Sequence, residues 1–508
     1  MSGLLITGTT SDAGKSIVTT ALCRAFARRG VRVAPFKAQN MSNNSMVCLG
    51  PDGQGAEIGR AQWIQAIAAR VEPEPAMNPV LLKPGSDQRS HVVVMGQPAG
   101  EISSRDWLGG RRHLAERAHA AFDDLSARFE LVIAEGAGSP AEINLRAGDY
   151  VNMGLARHAS LPSVVVGDID RGGVFAALFG TLALLEGADQ ALISGYVINK
   201  FRGSVELLQP GLTALERATG RRVFGVLPWD PGLWLDSEDA LDLEARRAHG
   251  NARYRVVVVR LPRISNFTDL DALGLEPDLD VVFTADPREL GDADLVVVPG
   301  TRATLSDLTW LRERGLDAAI QQHARRGRAL LGICGGCQML GFGISDPQGV
   351  EGGLGSTGRV GEAEGGSGSG SVRGLGLLPL DTEFKVTKNL RLPSSQALGV
   401  RTSGYEIHHG QITPRAGSDD FLGGARSGRV FGTMWHGSLE DDAFRNAFLT
   451  EALDRPPSTV SFSSAREARL NRLADLAERH LDLDALHALA LNGPPPALPI
   501  IAPAGLNC

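Results

Sequence analysis

Two stretches of this 508-residue chain hold residues whose types and spacing could do chemistry. In "LLGICGGCQML", residues 330–340, Cys334 and Cys337 stand three positions apart. Such a pair is half a zinc site, a redox dithiol, or one nucleophile beside an ordinary helix residue. Zinc asks for a second Cys or Cys/His pair. The other cysteines, Cys23, Cys48 and Cys508, offer none. A buried-strand pattern, "RALLGI", leads into Cys334 and a helix start follows it, with Gly332, Gly335 and Gly336 around the cysteine. Small residues on both sides are what a sharp strand-to-helix turn needs if it is to present one side chain at the bend. The sulfur then faces the positive end of a helix, which favours thiolate. The backbone N–H of Gly335 is placed to meet an oxyanion. Cys334 reads as a nucleophile.

A thiolate attacking an amide needs an acid/base partner, usually histidine. The stretch "RVFGTMWHG" (429–437) is a strand that delivers His436 to a carboxyl edge near Cys334. By contrast "YEIHHG" (405–410) is a less regular polar stretch, so His408 and His409 read as structural.

The second stretch is "GTTSDAGKS", Gly8 to Ser16, between a strand and a helix. Such a loop aims backbone N–H groups and a helix dipole at an anion, which is the physics of phosphate binding. Thr9, Thr10, Asp12, Ala13 and Gly14 supply the cradle, Lys15 reaches the β/γ-phosphates, and Ser16 holds Mg²⁺. The first glycine stands seven before the lysine, one further than the usual pattern. Polar residues at strand ends belong to the same edge, because open α/β sheets bind ligands beyond the carboxyl ends of their strands. They are Lys37, Glu135 as an Mg²⁺ ligand, Asp168, Asp170, and Asn199 placed to meet a base edge.

The elements that must position these residues follow from the apolar pattern. Candidate strands at 3–8, 31–37, 131–138, 163–170 and 195–201 alternate with helix-period stretches such as 16–30. The pattern restarts at 255–262, 278–284, 293–300 and 329–334. Apolar strands alternating with helices indicate parallel sheets covered on both faces. The expected fold is α/β in two domains, each a mostly parallel sheet with helices on both sides. The expected boundaries are a phosphate-loop domain at 1–242, a linker at 243–253, a second α/β domain at 254–450, and a helical extension with a flexible tail at 451–508. Residues 352–374 are Gly/Ser-rich low complexity.

Composition narrows the classes. A net charge of −7 gives no phosphate-neutralising surface, so no nucleic acid is expected. No apolar run reaches the roughly 18 residues that span a bilayer, and the helical stretch near 463–480 carries Asp475, Glu478 and Asp482 among its arginines. Five sparse cysteines and a start without a basic n-region point to a reducing cytoplasm. Cys508 is the last residue and cannot be a prenylation box. Oligomeric state is not legible.

The motifs "GTTSDAGKS", "PFKAQNMSNNS", "NPVLLKP", "EGAGSPAEINL" and "GDIDRGGVFA" resemble the synthetase domain of the cobyric acid synthase family, related to dethiobiotin synthetase with its displaced glycine. "LLGICGGCQMLG", "VVPGTRAT", "YEIHHG" and "GTMWHGSLE" resemble that family's class I glutamine amidotransferase domain. The resemblance implies Cys334 as nucleophile, His436 as its histidine, and Gly300 beside Gly335 as oxyanion donors. Many class I relatives carry a glutamate two residues past the histidine; here that residue is Ser438, with Glu440 as a weak substitute. The resemblance implies glutamine as ammonia donor, MgATP, and a corrinoid acid as acceptor, with Lys37, Asn40, Asn43, Asn44 and Lys83 on the corrinoid and phosphate side. Two rivals share parts of the pattern: a cobyrinic acid a,c-diamide synthase, and a partitioning-type ATPase without an amidotransferase domain.

Overall fold

The structure is a computed structural model that describes residues 2–84, 89–103, 111–230, 252–351 and 371–503. The Gly/Ser-rich stretch up to 370, linker residues 243–251 and Cys508 lie outside the described residues. Two compact units emerge. The first is built from the described residues of 1–42, 48–236 and 465–508, the second from those of 43–47 and 237–464.

In the first unit six parallel strands form one sheet: β1 (Gly3–Gly8), β2 (Val33–Phe36), β3 (Leu131–Glu135), β4 (Ser163–Asp168), β5 (Ile193–Phe201) and β6 (Arg222–Pro228). Their order is β6-β5-β4-β1-β3-β2. β1, β3 and β4 are buried along their whole length, as continuous apolar runs between helix layers must be. With β1 central, the loop after it reaches the middle of the carboxyl edge. Helix α1 (Lys15–Arg28) follows that loop, and α2 (Arg60–Ala69) packs beside it. A smaller sheet, Gln39–Met41, Val80–Pro84, Arg89–Val94 and Gln97–Ser103, was not legible, its strands being short and irregular.

The C-terminal helices pack into the core of the first unit. Leu470, Leu473, Ala477, Leu486 and Leu489, on helices Phe462–His480 and Leu483–Asn492, lie in one apolar cluster with Leu4, Val18 and Leu22. Charges fix the same contact: Arg24 pairs with Glu467, and Arg28 Nη1 lies 2.6 Å from Asp475 Oδ1. The described part of the expected flexible tail also has fixed partners. Ile501 N donates to Gln190 Oε1 at 2.8 Å, and Gln190 Nε2 to Ile501 O at 2.9 Å.

In the second unit the main sheet uses β7 (Tyr254–Val259), β8 (Leu279–Thr284), β9 (Leu295–Val298), β10 (Ala329–Ile333), β11 (Asp419–Phe421), β12 (Gly424–Ser427) and β13 (Val430–Thr433). The order is β8-β7-β9-β10-β13-β12-β11, parallel from β8 through β13 and antiparallel beyond. Helices α3 (Thr304–Glu313) and α4 (Gly335–Leu340) follow β9 and β10. The register Ile333↔Thr433 places the ends of β10 and β13 side by side.

Candidate active sites

The nucleophile turn takes the expected form. Cys334 sits between β10 and α4 at φ 50°, ψ −108°, a conformation a non-glycine residue adopts only when its surroundings impose it. The surroundings do so. Cys334 N donates to Thr433 O at 2.7 Å, and Gly336 packs so close to β9 that a Cβ there would lie 1.9 Å from Val298 O. Gly335 is the first residue of α4, so its N–H has no partner within the helix.

Cys337 is fully buried within the apolar core, and burial pushes its thiol well above the ordinary range. The four described cysteines are all free thiols, and among the described residues no cluster of His, Cys, Asp or Glu could hold a metal ion. Cys337 is a packing residue.

His436 follows β13 and is fully buried. Its Nδ1 lies 2.6 Å from Oδ2 of Asp269, whose Oδ1 accepts from Gly437 N at 2.8 Å. Tyr405 stacks on the imidazole with centroids 5.2 Å apart, and the two residues exchange backbone hydrogen bonds of 3.0 and 2.9 Å. Burial opposes charge on His436. The Asp269 carboxylate, then the Cys334 sulfur, outweigh it and raise the imidazole to about 10. The geometry therefore favours an imidazolium facing Cys334. Asp269, on the short turn Phe267–Leu270, takes the orienting place offered to Glu440; sequence reasoning missed it.

Gly300 closes the other side, since a Cβ on it would lie 3.1 Å from His436 Cε1. The next residue, Thr301, places its hydroxyl 2.6 Å from Asp307 Oδ2, and burial raises that carboxyl to about 6. The stretch "YEIHHG" is regular strand, Glu406–Pro414, not an irregular segment. His408 contacts Gly410 O through Nδ1 at 2.7 Å, and burial lowers it to about 4, so it stays neutral. His409 contacts Lys385 O at 3.1 Å.

The first unit holds a second, separate constellation. The loop after β1 closes on itself: Lys15 Nζ donates to Thr10 O at 2.8 Å and Ser11 O at 2.9 Å. Thr9 N donates to Val166 O at 3.0 Å. Ser16 Oγ donates to Glu135 Oε1 at 2.9 Å, and Lys37 Nζ donates to the same oxygen at 2.8 Å. Gln65 Nε2 holds Glu135 Oε2 at 2.6 Å. Burial would raise the Glu135 carboxyl; Lys37, Gln65 and Ser16 more than offset it and keep it below its ordinary range. An ionised carboxylate beside the loop's serine hydroxyl is a hard-oxygen pair that suits Mg²⁺, which keeps most of its ligands as water and phosphate.

Asn199 turns out to serve the loop itself: its Nδ2 donates to Ala13 O at 2.9 Å. Its neighbour Lys200 donates to Asp12 O and to Asp168 Oδ2, both at 2.8 Å. Asp170 accepts from Arg202 Nε at 2.8 Å. Of the five corrinoid-side residues, Lys37 and Asn40 lie in the first unit, Lys37 on Glu135, whereas Asn43 and Asn44 fall in the segment 43–47 of the second. Lys83 is buried 2.5 Å from Glu57, so its charge is already neutralised.

Comparison with known proteins decides what the two constellations belong to. Residues 4–241 match the CobQ/CobB/MinD/ParA nucleotide binding domain, and residues 255–444 the CobB/CobQ-like glutamine amidotransferase domain. The cobyric acid synthases of Mycobacterium ulcerans (strain Agy99) and Mycobacterium tuberculosis (strain ATCC 25618 / H37Rv) are each 68% identical over 503 residues, covering 99% of this chain and 99% of theirs. The chain belongs to the cobyric acid synthase family. It is therefore a glutamine amidotransferase-type amide ligase with a nucleotide-binding domain. The amidotransferase domain removes the partitioning-type ATPase as a reading. In this cobyric acid synthase-type chain Cys334, His436 and Asp269 fall in the second unit and the phosphate loop in the first.

Proposed function

We propose that the chain makes ammonia from glutamine at Cys334 and spends ATP at the phosphate loop to fix it as amides. The sulfur of Cys334 attacks the side-chain amide carbon of glutamine. The tetrahedral oxyanion meets the N–H groups of Gly335 and the Gly300 loop. The C–N bond breaks as His436 gives its proton to the leaving ammonia. Water, deprotonated by His436, then cleaves the thioester to glutamate and restores the thiolate. Asp269 holds the imidazole in place throughout.

At the phosphate loop a carboxylate oxygen attacks the γ-phosphorus of ATP and ADP leaves. Ammonia then attacks the acyl carbon, phosphate departs, and the extra proton goes to solvent. Carboxylate and ammonia do not condense unaided in water, which is why ATP enters. Ser16 and Glu135 are the residues that would hold Mg²⁺, which neutralises phosphate charge when bound. The acceptor on this reading is adenosylcobyrinic acid a,c-diamide, amidated at its b, d, e and g carboxylates to adenosylcobyric acid. Lys37 and Asn40 stand on the acceptor side. Asn43 and Asn44 are retained as acceptor contacts, and alanine at either leaving corrinoid turnover intact would remove it. Four free, buried cysteines fit a reducing cytoplasm, and no helix among the described residues is long and apolar enough to cross a membrane.

The observation that carries this reading is the pairing, in one chain of this family, of the Cys334–His436–Asp269 site with a phosphate loop. The test is ATP consumption with glutamine or with ammonium, with and without cobyrinic acid a,c-diamide, for the wild type and Cys334→Ser. The variant should fail with glutamine and work with ammonium, and only when corrinoid is present. Glutaminase that survives without any corrinoid dependence of ATP use would leave the ammonia chemistry standing and defeat the acceptor.

A further inference from the structure

On α2, the helix whose Gln65 binds Glu135, another buried side chain has both polar ends unmet. Gln62, in the first turn of α2, is 0% exposed, and neither its Nε2 nor its Oε1 has a hydrogen-bond partner. Buried amides are almost always hydrogen-bonded, so one with both ends orphaned points to something that binds there. Its direction is fixed by Gly59, the residue before α2. A Cβ on Gly59 would lie 2.6 Å from Gln62 Oε1, 2.8 Å from Asn40 Nδ2 and 3.0 Å from Asn78 Oδ1. Three side-chain amides thus converge over a residue that has no side chain.

The same spot is the N-terminus of a ten-residue helix with no side-chain cap, so its first N–H groups and its dipole face it too. Asn78 makes the arrangement rigid. It accepts from Gly59 N at 3.1 Å and donates to Lys37 O at 3.2 Å and Val80 O at 2.9 Å. One turn along α2, Gln65 donates to Glu135, which binds Ser16 of the phosphate loop. One helix and one carboxylate therefore tie the amide cluster to the phosphate loop.

We propose that the start of α2, with Gly59, Gln62 and Asn40, seats one carboxylate of the acceptor beside the phosphate loop. The inference rests on the amide-forming function proposed above. Its chemical logic is that the seat's side chains are neutral. Helix N–H groups and amide N–H groups bind a carboxylate, and a side-chain amide that turns over accepts from a carboxamide as well. A lysine or arginine could only donate. A seat made this way takes both an acid not yet amidated and a side chain already amidated, as repeated amidation of one acceptor requires.

The test uses the full chain, with ammonium as nitrogen source so that Cys334 is bypassed. Gln62→Met keeps the length and removes both orphaned atoms. A merely structural Gln62 predicts an unchanged or more stable variant that behaves as wild type, because an unmet polar pair has been removed. A carboxylate seat predicts that the Kd for cobyrinic acid a,c-diamide rises about tenfold or more. The Kd for a non-hydrolysable ATP analogue and the glutaminase rate should stay within about twofold, which also reports folding. Gln62→Glu should weaken corrinoid binding further through like-charge repulsion. Unchanged corrinoid affinity in both variants overturns the inference. So does a loss confined to the ATP analogue, which would make the spot a phosphate seat. Failure of the wild type itself to bind the corrinoid would defeat the proposed acceptor, and this seat with it, before any variant is read.

Discussion

The imidazole of His436 and the carboxylate of Asp269 meet at 2.6 Å although 167 residues separate them in the chain. The contact fixes which nitrogen of His436 faces Cys334, because Nδ1 is committed to the carboxylate. It also supplies the main favourable charge that lifts the imidazole to about 10 against the cost of burial.

Asp269→Asn should therefore lower glutaminase kcat by about a hundredfold, within the range that a general acid–base group contributes. It should also move the alkaline limb of the pH profile down by about one unit or more, since an opposite charge at this range shifts a pKa by that much. Turnover with ammonium should be unchanged. The stability of the site has a matching sign. A histidine whose folded pKa lies above its ordinary 6.5 contributes stability that is complete below that value and lost as pH rises through about 10. The wild type should lose stability across that window, and Asp269→Asn should lose less. An unshifted alkaline limb in the variant would place the orienting role elsewhere.

Why Asp269 was hidden while Cys334 and His436 were legible is a matter of range. Cys334 is announced by its immediate neighbours, because a strand, three glycines and a helix start are the local requirements of the turn. His436 is announced by the strand that ends before it. Asp269 lies on a four-residue turn after Asn266 at φ 48°, with no periodicity around it and no local chemistry to mark it. Only the fold of the second sheet brings it to the imidazole. The C-terminal helices show the same limit. Their helical spacing and mixed charge were readable, but not that Arg28 and Arg222 were the partners of Asp475 and Asp482.

The buried pair Lys37–Glu135 makes a prediction that separates charge balance from chemistry. Glu135→Gln leaves the Lys37 ammonium buried without its carboxylate and should cost about 3–5 kcal/mol of stability. The double variant Lys37→Met, Glu135→Gln removes both charges and should recover most of that loss. Neither should consume ATP with the corrinoid, because the carboxylate beside Ser16 is gone. Thermal melting and ATP turnover measured together check this. ATP turnover that returns with stability in the double variant would show that Glu135 serves the fold alone.

Asn199 and Lys200 act on consecutive peptide groups of the phosphate loop. Asn199 holds Ala13 O and Lys200 holds Asp12 O. Within a planar trans peptide the N–H points opposite the C=O. Fixing Ala13 O therefore turns the N–H of Gly14 the other way, toward the space a phosphate takes, while Ala13 N donates to Thr10 O at 3.5 Å within the loop. Lys200→Met should raise the KM for ATP about tenfold, the worth of one charge-assisted hydrogen bond, and Lys200→Arg should restore part of it. The glutaminase rate and the corrinoid KM should not move. A Lys200→Met enzyme with wild-type ATP affinity would mean the loop holds its own shape.

The C-terminal helices complete the core behind α1, and so reach the phosphate loop from its far side. Leu486 and Leu473 are buried in the cluster that contains Val18 and Leu22 of α1. Arg24 and Arg28 of the same helix bind Glu467 and Asp475. Removing a buried leucine from such a cluster costs about 2–5 kcal/mol through lost burial and the cavity left behind. Leu486→Ala should accordingly lower the melting temperature of the first unit and weaken ATP binding at temperatures where that unit begins to open. The Cys334 site draws its core from a different cluster, which includes Phe431, Phe444 and Leu331, and should melt as before. Differential scanning calorimetry with glutaminase and ATP-binding assays at matched temperatures distinguishes the two. Two transitions that move apart in the variant support the reading; a single transition moving as a whole would show the units melting as one.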